Sequence, residues 1–293
     1  MSLNVDEQYL NLLRKVLENG KLKKGRNGNV ITSFSEKLDI DIKDSFPLLT
    51  TKKVFIKGVI EELLFFIKGD TNAVHLQDKG IHIWDGNTTR EFLDNLGLTH
   101  YNVGDMGPMY GFQWRHFNAE YFGPDHDYSG QGFDQLQNCI NLIRNDPFSR
   151  RIFMSAYNPL QLHQSVLNPC HLSYQWMVEL DENGNKLLNC LMYQRSADLF
   201  LGLPFNIAST ALLTYMIAHI TDCKPNKMSI CICDAHIYEE HIDAVKIQLE
   251  RTPIELPTLS IERKIEDIND FKYDDLLIEN YVSHPTIKAK MIA

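Results

Sequence analysis

The chain has 293 residues, 44% of them hydrophobic, and a formal net charge of -9. That length and apolar content can bury one large core or two modest ones, while the negative balance excludes a general nucleic-acid surface. Any anionic ligand must therefore be held locally. Six cysteines (Cys139, Cys170, Cys190, Cys223, Cys231 and Cys233) are scattered through a chain with no apolar leader. This is the pattern of reduced thiols in a soluble, cytoplasmic protein, and it implies no disulfide framework.

Val5, Tyr9, Leu12, Leu13, Val16 and Leu17 recur at helical spacing, with Asn4 and Glu7 in capping-box register and a stop at Gly20. The spacing predicts a surface-packed N-terminal helix. The one compact basic cluster, 21–26, follows; Lys21, Lys23 and Lys24 read as a solvated loop, whereas Arg26, between Gly25 and Asn27-Gly28, can be aimed inward by a turn. A second helix is predicted over 58–68, ending at Gly69. Its stripe of Val59, Ile60, Leu63, Leu64 and Ile67 is extended by Phe65 and Phe66. Glu62 belongs to this helix. From the helix alone its solvated face is the favoured reading; the other is a dry pocket with a raised pKa, suited to proton work.

A third helix is predicted over 133–144, closed by Asp146-Pro147. Arg150-Arg151 then opens a strand over 152–157, so their side chains alternate, and their forks suit either phosphate or surface ion pairs. Strands over 172–180 and 186–193 are joined as a hairpin by 181–185, and a further strand covers 228–234. From Pro204 to Ile220 the chain is almost wholly apolar, interrupted only by small or isolated polar residues. It predicts a long buried central helix, not a membrane span. With no repeat, low-complexity tract or linker, the organisation is one domain over 1–293. Helices between mostly antiparallel or mixed strands make it α/β or α+β.

Cys170 stands in Asn168-Pro169-Cys170-His171, with Tyr193-Gln194-Arg195-Ser196-Ala197-Asp198 following after the hairpin. A thiol beside an imidazole, with arginine a strand away, is where a lowered-pKa nucleophile belongs; by residue type alone a buried core cysteine is the commoner case. Arg195 and Ser196 add a guanidinium and a hydroxyl suited to a phosphomonoester. Asn206, in the first turn of the central helix, fits either an N-cap or a reader of an imide edge such as uracil. Asp234, His236 and Tyr238 share one side at a strand end. His236 has no partners at zinc spacing and Cys231-Ile232-Cys233 is weak alone, so no metal is expected.

Along almost its whole length the chain resembles the thymidylate synthase family. The resemblance is carried by Phe46-Pro47-Leu48-Leu49-Thr50-Thr51-Lys52, Gly107-Pro108-Met109-Tyr110-Gly111-Phe112-Gln113-Trp114-Arg115, Arg150-Arg151-Ile152, Pro169-Cys170-His171 and Tyr193-Gln194-Arg195-Ser196. Leu201-Gly202-Leu203-Pro204-Phe205-Asn206-Ile207-Ala208-Ser209, Asp234-Ala235-His236-Ile237-Tyr238 and His284-Pro285-Thr286-Ile287-Lys288 complete it. It implies a large mixed β-sheet flanked by helices around the buried helix, with sheets packed back to back in a homodimer. The implied reaction is reductive methylation of dUMP to dTMP, with 5,10-methylenetetrahydrofolate as co-substrate giving both the one-carbon unit and the hydride.

On this resemblance Cys170 is the nucleophile that adds to the uracil 6-carbon. Glu62 organises water and proton transfer, and Tyr110 sits where the 5-proton is removed, the base there being the phenol or a water. Arg195 and Asp198 join them in catalysis, with Arg195 rather than His171 favouring the thiolate. Asn206 reads the uracil edge. Arg26, Arg195 and Ser196 bind phosphate with Arg150 and Arg151 lent across the dimer interface, Ala197 and Asp198 border the nucleotide, and His236 and Tyr238 take the deoxyribose hydroxyl. Folate contacts fall to Asp198, Trp84, Phe55 and Ile292.

Departures from the family pattern are Asn27-Gly28-Asn29-Val30-Ile31 after Arg26, Phe65 for a usual tryptophan, Cys233 for a glycine and Ile292 for a small penultimate residue. They leave open the pose of the loop after Arg26, the backbone near His236 and the closure of the tail. Rival readings are a pyrimidine hydroxymethylase of the same fold, a non-catalytic RNA-regulatory paralogue and an unrelated Cys-His hydrolase. Asn206 and Trp84 argue against the first, the intact polar set and acidic charge against the second, and the lack of a glycine-rich oxyanion turn against the third.

Overall fold

The computed structural model describes residues 4–25 and 27–292. Helix α1 (Val5–Asn19) opens on the expected capping box: Asn4 accepts from the Glu7 amide and Glu7 from the Asn4 amide, each at 2.9 Å. The lysine cluster, expected as a loop, is instead an exposed edge strand, β1 (Lys21–Lys24), paired antiparallel with β2 (Asn29–Asp41). Charged side chains on an edge discourage further pairing, so the sequence read as solvated for the right reason but in the wrong backbone state. No strand was expected over β2. Only Leu38 and Ile40 mark its inward face in the polar run 33–41, and Glu36 shares that burial.

Helix α2 (Ile56–Ile67) begins two residues before its expected start. Short helices α3 (Val74–Gln77), α4 (Arg90–Asn95) and α5 (Gly111–Arg115) follow. Helix α6 (Gln135–Asn145) starts where Asp134 caps the Gln137 amide at 2.9 Å. Strands β3 (Phe153–Ser155), β4 (His171–Leu180) and β5 (Lys186–Asp198) precede helix α7 (Gly202–Ile220). Strand β6 (Lys224–Tyr238), helix α8 (Ile242–Leu249) and the two-stranded pair β7 (Thr258–Ser260) and β8 (Leu277–Glu279) complete the order.

The main sheet runs β1-β2-β6-β5-β4-β3, antiparallel throughout except that β5 and β6 are parallel. This is the mixed sheet flanked by helices that was expected. The hairpin between β4 and β5 is closed by Asp181, whose carboxylate accepts from the Asn183 and Asn185 amides at 2.9 and 2.8 Å. Strands β5 and β6 outrun their expected ends, so Arg195, Ser196, His236 and Tyr238 lie within strands. Helix α7 is apolar on every side and is packed within the molecule against β5, β6 and α2. It has the length and composition of a membrane span, and the buried contacts answer to the same composition.

Opposite α7, the sheet shows a different surface. Register places Phe153, Gln175, Leu191, Ser229 and Asp39 in one cross-strand row and Ser155, Ser173, Tyr193, Cys231 and Lys37 in the next. Phe153, Leu191, Tyr193 and Met177 are exposed there. Leu213, fully buried in α7, tests the packing: Leu213→Ala should lower unfolding free energy by about 2–5 kcal/mol in urea titration, whereas exposed Leu160→Ala should stay within about 0.5 kcal/mol of the parent.

Candidate active site

The turn 168–170 enters β4, and Arg195 of β5 holds it. The Arg195 amide donates to the Cys170 carbonyl at 2.8 Å. Its guanidinium donates from Nε to the Pro169 carbonyl at 2.8 Å and from an Nη to the Asn168 carbonyl at 2.7 Å. The same Nη lies 3.7 Å from Cys170 Sγ. A planar guanidinium is suited to such a task because its donors diverge in fixed directions. Cys170 is partly accessible, unlike Cys139 and Cys190, which are buried core thiols pushed up to about 12 by desolvation.

Tyr110 meets Cys170 from another element, its phenolic oxygen accepting from the Cys170 amide at 3.0 Å. Tyr110 has φ 40° and ψ −102°, a strained conformation for a non-glycine residue. Two glycines make the approach possible. A Cβ at Gly111 would stand 2.3 Å from the Phe66 carbonyl oxygen, and one at Gly107 2.0 Å from that of Gln164. The Tyr110 ring stacks on His171 at 4.3 Å and on Phe66 at 4.9 Å. Burial first, then the neighbouring Cys170 and Glu62, holds the phenol well above its ordinary pKa, so it stays protonated. His171 is pulled down to about 3 by desolvation and its Nδ1 lies 3.0 Å from the Tyr174 hydroxyl. It is a neutral packing group, not a base.

Glu62 does not take the solvated face favoured from the helix alone. It is half-buried, and Trp84 Nε1 donates to its Oε1 at 2.8 Å. Desolvation pushes its pKa up to about 7, against the opposing effect of that hydrogen bond. Trp84 also meets the Tyr110 ring edge-on at 6.1 Å. Glu62, Trp84, Tyr110 and Cys170 therefore form one connected group, of the kind in which perturbed acids do proton work.

Asn206 is not an N-cap. Helix α7 begins at Gly202 after Leu201, and it is Asp198 that receives the Phe200 and Leu201 amides, at 2.9 and 3.3 Å. Asn206 Oδ1 instead accepts from Gln194 Nε2 at 2.9 Å, leaving its orientation fixed by a buried amide. Sequence reasoning missed Gln194. The available signal was that Leu188, Cys190, Met192 and Gln194 alternate toward the interior of β5, and a glutamine breaks that apolar series. Lys52 was also missed: it is buried, donates to the Phe200 carbonyl and lies 3.7 Å above the Phe200 ring. Burial pulls it down to about 8. No periodicity marks it.

His236 is buried, with Nδ1 3.3 Å from Asp234 Oδ1, and its ring meets Tyr238 edge-on at 5.2 Å. Strand β6 continues past Cys233 to Tyr238, but both ladders skip a pair at Cys233: β2 pairs Phe34 with Asp234 and then Glu36 with Ile232, leaving out Ser35 at φ 61°, and β5 pairs Gln194 with Ile232 and then Ser196 with Asp234. Ser196 and Ala197 pair with Asp234 and Ala235 beside them. Asn27 and Gly28 form the turn between β1 and β2, closed by the Gly25 amide on the Gly28 carbonyl at 2.8 Å; Arg26 itself lies outside the described residues. Phe55 is exposed at the start of α2, and Phe65 is buried against Phe66. Arg150 and Arg151 occupy an exposed turn instead of opening a strand, and among the described residues neither hydrogen-bonds to the Cys170 group. Ile292 lies two residues past Lys290, whose carbonyl is 2.8 Å from His241 Nε2. Among the described residues no group of three or more His, Cys, Asp or Glu side chains is placed to hold a metal ion.

A partly accessible thiol under a guanidinium, grouped with a half-buried carboxyl, and a fixed asparagine, in a mixed-sheet domain, is the kind of site on which cysteine enzymes act on small ligands. The thymidylate synthase family model matches residues 7–293. Human thymidylate synthase is 53% identical over 97% of this chain and 90% of its own length, and the Saccharomyces cerevisiae enzyme is 48% identical over 98% and 96%. Thymidylate synthase of Agaricus bisporus is 49% identical over 98% of both chains. The chain belongs to the thymidylate synthase family.

Glu62 sets a pH signature. Its folded pKa of about 7 exceeds the ordinary 4.5, so the folded protein keeps a proton that the unfolded chain releases. That stability is fully present below pH 4.5 and is lost as pH rises through about 7. In paired melting curves the wild type should therefore lose ground to Glu62→Gln between acid and mildly alkaline pH; parallel curves would refute the assignment.

Proposed function

We propose that this chain converts dUMP and 5,10-methylenetetrahydrofolate to dTMP and dihydrofolate. The observation that carries the reading is the Arg195 clamp on 168–170, which sets a positive group 3.7 Å from Cys170 Sγ in a chain of this family. The guanidinium offers the thiolate a partner. Cys170 then adds to the 6-carbon of the uracil ring, and the displaced electron pair makes the 5-carbon nucleophilic toward the one-carbon unit. Folate supplies that unit; loss of the 5-proton then breaks the bond from the one-carbon unit to the folate nitrogen. Hydride from the tetrahydrofolate so released reduces the exocyclic methylene to methyl, expelling Cys170 and leaving dihydrofolate.

Residue roles follow chemistry. Glu62, near 7, can both give and take a proton at neutral pH. Tyr110, protonated, orients a water as donor or acceptor instead of acting as phenolate. Asn206, held by Gln194, presents an amide edge to uracil. Arg26, Arg195 and Ser196 take the phosphate, Ala197 borders the nucleotide, His236 and Tyr238 take the sugar hydroxyl, and Asp198, Trp84, Phe55 and Ile292 border folate. Reduced thiols and the lack of any disulfide among the six cysteines suit a cytoplasmic setting.

The same reading includes a homodimer in which Arg150 and Arg151 serve the partner's phosphate site. Two observations support it: the exposed side chains of Phe153, Met177, Leu191 and Tyr193 on the sheet face away from α7, and the exposed turn that carries both arginines next to that face.

Purified protein given both substrates should show the absorbance rise of dihydrofolate, and the nucleotide product should carry one methyl by mass; a hydroxymethyl product would point to the sister reaction. Cys170→Ser should abolish turnover yet still bind dUMP. Mixing inactive Cys170→Ser subunits with an inactive Arg150→Ala/Arg151→Ala variant should restore activity, because one hybrid site then has both an intact thiol and intact arginines. Activity that stays absent after verified subunit exchange would sink the shared-site arrangement.

A further inference from the structure

Helix α1 has no place in the chemistry above, yet two polar groups on its buried side reach far across the molecule. Asp6 is fully buried. Its carboxylate accepts from the Thr50 amide and hydroxyl at 2.9 and 2.8 Å and from the Thr51 amide and hydroxyl at 3.1 and 2.9 Å. One turn further on, the fully buried Tyr9 donates its hydroxyl to the Leu199 carbonyl at 2.7 Å. These targets are joined. Lys52 follows Thr51 and its ammonium donates to the carbonyl of Phe200, the residue after Leu199. The contacts thus close a ring from α1 through 50–52 to 199–200 and back to α1, with Asp198 at its edge.

The C-terminal tail hangs on the same two threonines. The Thr50 carbonyl accepts from the His284 amide at 2.8 Å, and Arg251 bridges the carbonyls of Thr51 and Pro285 at 2.8 and 2.7 Å. Further along, the Lys290 carbonyl meets His241, whose Nδ1 lies 3.8 Å from Asp198. Cys170, Arg195, Gln194 and Asn206 are instead carried by β4, β5 and α7, while α1 packs on β2, β6 and α8. A carboxylate offers acceptors alone, and four donors converge on it. An asparagine there would turn an N–H toward N–H and O–H groups and leave donors unmet.

We propose that Asp6 and Tyr9 are positioning residues for the folate co-substrate, fixing Lys52, Asp198 and the root of the tail while leaving the nucleotide half of the site alone. This rests on the reading of Asp198 and the tail as folate contacts. Tyr9→Phe removes one hydrogen bond and keeps the ring; it should raise KM for methylenetetrahydrofolate by up to about tenfold. Calorimetric Kd for dUMP alone should stay within about twofold, because the link from this ring of contacts to His236, the Leu199 amide on the His236 carbonyl at 2.9 Å, belongs to the β5–β6 ladder and survives loss of the Tyr9 hydroxyl. Asp6→Asn should show the same split more strongly, with a lower Tm. Unchanged folate KM in folded Tyr9→Phe, or an equal loss in dUMP affinity, would overturn the proposal. A merely structural role predicts equal losses. Should Asp6→Asn fail to fold, Tyr9→Phe decides alone. Absence of dihydrofolate with the wild type would instead sink the reaction assigned above, so the two failures are separable.

Discussion

The Arg195 guanidinium is the contact on which the site depends. It ties the interior of β5 to the turn that enters β4 with two donors, on the carbonyls of Asn168 and Pro169, and the Arg195 backbone amide adds a third on that of Cys170. Remove it and the Asn168 and Pro169 carbonyls lose these partners while Cys170 loses its positive neighbour. Because β5 pairs with β4 on one side and β6 on the other, the same strand also fixes Ser196, Asp198 and, across the parallel ladder, His236. A single strand therefore sets Cys170, Ser196 and His236 in one frame. Rigid frames of this kind are what let a nucleophile meet its target without paying for reorganisation in each turnover.

Around that frame the site divides by polarity. One half is dry: Tyr110, His171, Phe66 and Trp84 stack or meet edge-on, and burial keeps Tyr110 protonated and His171 neutral. Glu62 sits at the margin of this half, which is why desolvation brings it near neutrality while its neighbours are driven far from their ordinary values. The other half is charged and open, with the partly exposed Arg195 beside the thiol. Proton transfer wants the first environment and an anion wants the second. Cys170 lies at their boundary, touched by Tyr110 from one side and Arg195 from the other.

What the sequence made legible follows the same division. Apolar periodicity revealed α1, α2 and α7, because burial is a one-dimensional pattern that survives without knowledge of the fold. Strand ends were not legible. The ladders of β5 and β6 continue under polar residues where the sheet forms a site wall, so polarity was mistaken for termination. Glu62 was misread from its helix because the indole that shelters it comes from residue 84, twenty-two positions away. For Asn206 a cap stayed open beside an amide reader for a related reason: the cap is supplied by Asp198 of the preceding strand. In each case the deciding partner is remote, and spacing along the chain carries no trace of it.

Gln194 and Asp6 show the complementary case, where a local anomaly was visible and meaningful. A glutamine in the inward series of β5 and an aspartate in the first turn of an amphipathic helix are each ordinary residues in the wrong company. Burial of a polar group is costly unless every donor and acceptor is met, so such residues persist only where a partner network requires them. Gln194 meets Asn206; Asp6 meets two threonines that also anchor the tail. Both lie behind residues of the site rather than in it. The groups proposed to touch ligand were recognisable by their chemistry, whereas those that hold them were recognisable only as exceptions to the packing pattern.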